Sequence, residues 1–447
     1  MEATGGRGGT GRAAALDASG RAGAGCAVSL ADAVLGARTF ESLRRYRNFR
    51  LFLAGQFVSQ TGTWLQTAAQ SWLVLQITHS AVAVGLVGFW QFVPYTVLGL
   101  FGGTVSDRVD SRRALAWAQV AQMACAALLA ALAFAHAGGV AWVYALAAAR
   151  GVALVVNNPS QQALMLRMVG REDLAGAISL NSGITNATRI LGPGVAGVLI
   201  AAAGVGWCFA LNAASYLAVL ASLALMREED LLPLVRPPGA ANLVRDLREG
   251  LAYGLRTPRV LIPLALLAVI STLGINFGVM LPILAAQTLG AGAGVYGFIT
   301  SLFGLGAVAG ALLAASLGRA TWPLLMASAA AFSLAELALA PERALWPAVA
   351  CLVATGVAYT LYTSVTNTMV QLSAPDHMQG RVTGLYSYVF LGTGPLGALW
   401  SGWLSGAGGT GLTFAVAGAG GLVATAAAWV AQRRAEGSVG GAAGTGA

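Results

Sequence analysis

Charged and amide side chains are scarce inside the long apolar runs of this 447-residue chain, so the few that occur there mark where chemistry can happen. Gln56, Gln60, Thr63, Thr67 and Gln70 recur at three- and four-residue steps, which puts them on one helical face with Trp64 at its edge. Arg150 shares a face with Asn157, and Arg189 shares one with Ser182, Asn186 and Pro193. Glu336 is the only acid within a run and stands five residues before Pro341. In hydrocarbon such groups turn from lipid toward protein or a water-filled cavity. The chemistry open to them is hydrogen bonding, recognition of charge and proton exchange. Blander readings stand beside it. The amides fasten helices together, the arginines are saturated by helix carbonyls and asparagines, and Glu336 snorkels at the outer interface or pairs with Arg343.

Bond-making chemistry needs a nucleophile with a base, or clustered metal ligands. His79, His136 and His377 are far apart, and Cys26, Cys125, Cys208 and Cys351 are isolated. Three of the cysteines lie in apolar runs, where cysteine acts as a small hydrophobe. Gly304-Leu-Gly306-Ala-Val-Ala-Gly310 misses the dinucleotide spacing and suits close helix packing, the Gly306–Gly310 pair especially. No Walker A run occurs. The sequence points away from an enzyme and requires no cofactor or metal.

The elements that carry these residues read as membrane spans. The chain is 57% hydrophobic with a mean hydropathy of +0.71, above soluble domains, and only 10% charged. Runs long enough to cross a ~30 Å hydrocarbon core are predicted at 50–77, 81–106, 114–136, 140–163, 176–203 and 207–226. Six more follow at 259–285, 294–317, 322–340, 345–370, 382–404 and 411–431. Residues 1–43 and 435–447 read as Gly/Ala-rich disordered tails, 44–226 and 259–434 as six-helix halves, and 227–258 as a cytoplasmic linker. All 26 basic residues are arginine. In a soluble protein that balance would suggest nucleic acid, but here the arginines fall between spans. Alternate loops hold 19 against one (Arg343), which places both termini in the cytoplasm. Trp142, Trp322, Trp346 and Trp429 near span ends read as interface anchors. Arg171-Glu-Asp-Leu-Ala-Gly176 and Pro375-Asp-His-Met-Gln-Gly380 precede spans carrying Gly192-Pro193 and Gly394-Pro395, so the two halves repeat. Parallel halves about a central axis are a rocking-transporter architecture.

Between the second and third runs lies Gly102-Gly103-Thr104-Val105-Ser106-Asp107-Arg108-Val109-Asp110-Ser111-Arg112-Arg113, with five charges in its last seven residues. Its spacing resembles the loop between helices 2 and 3 of the major facilitator superfamily, in the form found in drug and siderophore exporters. Three more stretches carry the same resemblance: Asn158-Pro159-Ser-Gln-Gln162-Ala163, Arg189-Ile-Leu-Gly192-Pro193-Gly194-Val-Ala-Gly197, and Asn48-Phe49-Arg50-Leu-Phe-Leu-Ala-Gly55-Gln56. The second is similar to the exporters' antiporter motif, and the third opens span 1 as in macrolide and enterobactin exporters. Together they extend the resemblance over about residues 44–431. Ser111, Asp110 and a second-half copy that keeps Gly310 and Arg319 but no aspartate depart from the pattern.

The resemblance implies an all-α membrane protein of twelve transmembrane helices in two six-helix pseudo-repeats. It implies export of a small molecule by alternating access, coupled to protons, from a monomer in a bacterial-type inner (plasma) membrane. Bilayer, substrate and proton are the partners implied, with no nucleic acid. Gly103, Asp107, Arg108, Arg112 and Arg113 would form the conformational gate, with Asp107 bracing the start of span 11 near Gln379–Gly384. Gln56, Gln60, Trp64, Thr67, Gln70, Arg150, Asn157, Asn186, Arg189 and Glu336 would line the substrate and proton pathway. Gly192, Pro193, Gly194, Gly394 and Pro395 would be hinges, proline removing a backbone donor. Buried arginines without a midplane acid favour a neutral or anionic amphipathic substrate, siderophore- or macrolide-like, over a permanent cation. Import of a metabolite, or a non-transporting sensor or assembly factor on the same fold, stays open.

Overall fold

The computed structural model describes residues 42–233, 243–375 and 378–443, apart from the side chains of residues 100–108, 175, 243–248, 250 and 437–443. Every regular element among the described residues is helical. Hydrocarbon leaves no alternative short of a closed barrel, because backbone groups there must be satisfied within the chain. The first half holds α1 (Arg47–Thr78), α2 (Ala81–Arg108), α3 (Ser111–Phe134), α4 (Val140–Ala203) and α5 (Val205–Ala224). A connecting helix α6 (Leu243–Arg256) leads to α7 (Pro258–Leu273), α8 (Phe277–Ile283), α9 (Ala293–Leu317) and α10 (Trp322–Leu339). The chain ends with α11 (Leu345–Leu372), α12 (Gln379–Gly392) and α13 (Gly394–Ala443). Ten stretches among the described residues are long and apolar enough to cross a membrane. The amide-rich α1, 32 residues long, is not one of them.

Glycines set where helices turn. Within α4 only Gly170 (φ 74°, ψ 176°) leaves helical geometry, so two spans read as separate in the sequence run on across one break. Gly409 (φ 76°, ψ 176°), with Gly408, breaks α13 in the same way. A side chain would be strained at either positive φ. The hinge expected at Gly192, Pro193 and Gly194 is instead regular helix, and the missing Cβ atoms are used for approach. A Cβ on Gly192 would collide with that of Trp64, and one on Gly194 would sit 2.7 Å from Ser301 Oγ. Gly394 and Pro395 do fall at a discontinuity, where α12 ends and α13 restarts. At the other end, α13 continues through Ala443, into the stretch read as tail. The tail 1–41 lies outside the described residues.

The halves meet through glycine at the arginine-poor end. A Cβ on Gly297 of α9 would lie 2.6 Å from Gly197 Cα and from Pro193 O of α4. One on Gly402 of α13 would lie 2.9 Å from Ala81 O and 3.0 Å from Gly85 Cα of α2. Trp72 of α1 stacks on Tyr296 of α9 at the same end, 5.5 Å between centroids and 11° between planes. At the arginine-rich end, Gly183 and Gly384 have no described neighbour within 4 Å of an added Cβ. Within the second half, α9 lies against α11 in the same manner. Gly306 and Gly310 meet the Val353 and Val357 carbonyls, and Gly356 meets that of Phe303. The glycine pair singled out in the sequence does the packing expected of it.

These contacts give a paired test. Gly297→Ala should destabilise the folded protein by about 1–3 kcal/mol through overpacking, lowering the thermal midpoint in detergent. Gly294→Ala, where nothing lies within 4 Å, should leave the midpoint unchanged or raise it.

Candidate functional site

The polar face of α1 divides on folding. Gln60 and Trp64 are half-buried, and Trp64 lies against Arg189. Thr63 Oγ1 lies 3.4 Å from the Tyr216 hydroxyl, and Thr67 donates to the Thr63 carbonyl at 2.8 Å. Gln70 is buried and spends its amide on Val143 O at 3.3 Å, so it fastens α1 to α4. Gln56 is buried with Nε2 unpartnered. Gln66, which lies off the predicted face, accepts from Asn212 Nδ2 at 2.6 Å and ties α1 to α5.

Arg150 is 3% exposed, and its single hydrogen bond is a long one, 3.4 Å from Nη2 to Thr67 Oγ1. Its Nε and Nη1 are buried and unpartnered. Asn157 does not serve it, because the Asn157 amide oxygen accepts from Gln119 at 3.0 Å and Gln122 at 3.5 Å. Gln122 in turn accepts from Tyr216 at 3.4 Å. Gln119 and Gln122, three residues apart in an apolar run, were a legible pair that the sequence reading passed over.

Arg189 lies between aromatic rings from the two halves, its guanidinium carbon 5.2 Å from the Trp64 centroid and 6.0 Å from that of Tyr359. Its Nε is buried without a partner, and neither Arg150 nor Arg189 forms an ion pair among the described residues. Cation–π contact is worth about 0.5–2 kcal/mol, enough to hold the guanidinium without consuming its hydrogen-bond donors. Tyr359 had no sequence signal. Asn186 donates to Ser182 O of its own helix at 3.0 Å. Glu336 neither snorkels nor pairs with Arg343. It is 1% exposed on α10, away from these arginines, with Oε1 unpartnered.

At the arginine-rich end, the side chains of Gly103, Asp107 and Arg108 lie outside the described residues, and so does the predicted docking of Asp107. Arg112 is occupied within its own half. It donates to Leu223 O at 2.8 Å and Ala224 O at 3.4 Å, and pairs with Glu228 at 3.0 Å. Arg47 adds a bond to Leu225 O at 3.0 Å. Cations thus gather on the C-terminal carbonyls of α5, the negative end of its dipole. The Arg113 side chain is exposed.

The residue that departs from the family pattern, Asp110, has two tasks. It caps α3, accepting from the amides of Arg112 (3.0 Å) and Arg113 (3.2 Å), and it pairs with Arg167 at 2.8 Å. Burial alone would raise its carboxyl, but these amides and the Arg167 guanidinium outweigh burial and hold it below the usual carboxylate range. An aspartate just ahead of Ser-Arg-Arg is an N-cap signature that the sequence already carried. Its stabilising contribution is therefore complete above the ordinary carboxylate pKa and is lost as pH falls through the lowered one. Asp110→Ala should cost about 1 kcal/mol, seen as a lower thermal midpoint at neutral pH, with the difference from wild type shrinking in acid.

Comparison with known proteins puts this geometry in context. A family model described as transmembrane secretion effector matches residues 38–438. The staphyloferrin A transporter of Staphylococcus aureus is 25% identical over 267 residues, 59% of this chain and 66% of that protein, just under two thirds of its length. The enterobactin exporter EntS of Escherichia coli is 27% identical over 359 residues, 77% of this chain and 82% of that one. Among solved structures, the nucleoside transporter NupG superposes with a TM-score of 0.70 at 12% identity, covering 86% of this chain and 99% of that one. A D-xylose–proton symporter gives 0.68 at 14%, covering 86% and 97%. At such identities these structures speak for the fold alone. The family match spans nearly all of the described helices, and the motifs at Asn48, Gly103, Asn158 and Arg189 fall within it: the chain is a multi-pass membrane transporter and belongs to the transmembrane secretion effector family of the major facilitator superfamily.

Proposed function

We propose that this transporter exports a small amphipathic molecule, neutral or anionic and of the siderophore type, by proton-driven alternating access. The observation that carries this reading is the pair of guanidiniums, Arg150 buried and Arg189 half-buried, which keep buried N–H donors unpartnered and form no ion pair among the described residues. A permanent cation would meet repulsion there, whereas an acidic or acceptor-rich solute meets charge-assisted hydrogen bonds. Trp64 and Tyr359 add aromatic surface for the apolar part. The names of the staphyloferrin A and enterobactin relatives support the same substrate class.

The breaks at Gly170 and Gly408–Gly409, with the interrupted α7–α8 and α12–α13 pairs, support twelve spans in two sixes. The arginine bias supports cytoplasmic termini and the inner membrane of a bacterial-type cell, and a monomer suffices for the cleft. Close glycine contact at the arginine-poor end supports an inward-open arrangement, and Asp107 bracing the start of α12 would close the opposite end.

The test is accumulation of a panel of acidic, neutral and cationic amphipathic compounds in cells lacking their own efflux pumps. Wild type should lower accumulation of acidic or neutral compounds by several-fold. An uncoupler and Asp107→Asn should each restore it, at equal membrane expression. Arg189→Gln should weaken export of acidic compounds more than of neutral ones. Raised accumulation would mark an importer. No change across the panel would favour a non-transporting role.

A further inference from the structure

Glu336 forms no ion pair among the described residues, and its surroundings are unusual for a carboxyl. The group lies flat over Gly274: a Cβ built there would be 2.6 Å from both Oε1 and Oε2. Gly274 caps the C-terminus of α7, where the helix stops mid-membrane before α8 restarts after Asn276. The negative end of the α7 dipole therefore points at an acid, which disfavours an anion and favours a cation. The break itself is held by Asn276, whose Nδ2 donates to Ser271 O at 3.2 Å and Thr272 O at 3.0 Å. One turn back, the Ser271 hydroxyl is buried with no partner, as is Glu336 Oε1.

No described group compensates the charge. Arg343, after the end of α10, forms no ion pair with Glu336 among the described residues. From α11 the titratable groups are Cys351, Tyr359 and Tyr362, and Tyr362 keeps its hydroxyl unpartnered. The only charged residue of α7 is Arg259, at its far end, and the charges of α13 among its described side chains begin at Arg433. A fully buried carboxylate left bare is costly, so the site holds either a neutral acid or a bound positive ion. Broken helices at membrane depth are where transporter folds place ion ligands.

We infer that Glu336, Ser271 and the end of α7 at Gly274 form a site for one monovalent cation, a proton or a sodium ion. Binding needs no reaction beyond transfer of that ion from water onto the carboxyl. The site itself is independent of substrate identity, although its use as the coupling-ion site rests on the export reading.

Infrared difference spectra of the purified protein in lipid, without substrate, test it. Wild type should show a protonated-carboxyl carbonyl band that fades either as pH rises in sodium-free buffer, identifying a proton, or when sodium replaces choline at fixed pH, identifying sodium. Glu336→Gln should lose the band, and Glu336→Asp should move it, which guards against a misfolded glutamine variant. Gly274→Ala, which puts a methyl into the carboxyl, should shift it too. A wild type with neither response, or responses unchanged in the Glu336 variants, overturns the inference. A missing band with intact efflux removes the cation site and leaves export standing, whereas a normal band with no efflux does the reverse.

Discussion

Hydrocarbon offers no water to a polar group, so each amide, hydroxyl and charge in these helices is satisfied by the chain or left for something that binds. In the first half most are satisfied. Asn157, Gln119, Gln122 and Tyr216 form one connected set between α3, α4 and α5, and Asn212 closes on Gln66. Among the buried atoms left over there, Nε and Nη1 of Arg150, Nε of Arg189, Nε2 of Gln56 and Nε1 of Trp72 are donors, and Gln119 Oε1 is an acceptor. The second half answers with rings, Phe277, Phe303, Phe332 and Tyr359 packed edge and face within about a ring's width of one another. Of these four buried rings, Tyr359 is the one against the Arg189 guanidinium, with Trp64 of the first half also on it.

The same constraint separates what holds each half from what joins them. Of the ion pairs described, Arg45–Asp173 and Arg167–Asp110 lie within the first half, Arg112–Glu228 ties it to the start of the connection, and Glu249–Arg381 ties the connecting helix to the second half. Among the described residues the contacts across the halves include glycine against backbone, the Trp72–Tyr296 stack, and hydrogen bonds such as Ser301 to Ile190 O at 2.8 Å and Tyr388 to Thr96 O at 2.9 Å. Strong directional bonds make each half rigid. Shape complementarity, which forfeits little electrostatic energy when surfaces part, is what a rocking pair requires.

Much of this was readable before any coordinates. Apolar run length gave the helical class, and the 102–113 motif with its companions gave the superfamily. What could not be read was which neighbour each polar group meets. Gln70 and Gln60 look alike in the sequence, yet one is buried and consumed by Val143 O while the other stays half-buried, because helix rotation is set by packing rather than by local pattern. Gly192-Pro193-Gly194 shows the same limit. A glycine flanking proline signals a loosened helix, but here Trp64 presses on the space that Gly192 leaves, and the backbone stays regular. For Glu336, the snorkelling alternative rests on distance to a helix end, which says nothing about the break in α7 that lies across from it. Asp110 is the opposite case: its capping role was in the sequence, obscured because it departs from the superfamily pattern.

Arg189 is where these strands meet. Lysine could carry the charge, but an ammonium is strongly hydrated and would forfeit more on entering this site. A guanidinium is planar and weakly hydrated, so it can lie between Trp64 and Tyr359 and still aim donors along its edge. The two rings come from different halves, so the arginine touches both. If the halves rock as proposed, a solute that takes its donors would bind at the seam, and the distance from the guanidinium to Tyr359 would change while Trp64, against Gly192 on the same half, stayed in place. On the export reading, ligand occupancy and the position of the halves are then coupled through one side chain, with no longer relay needed.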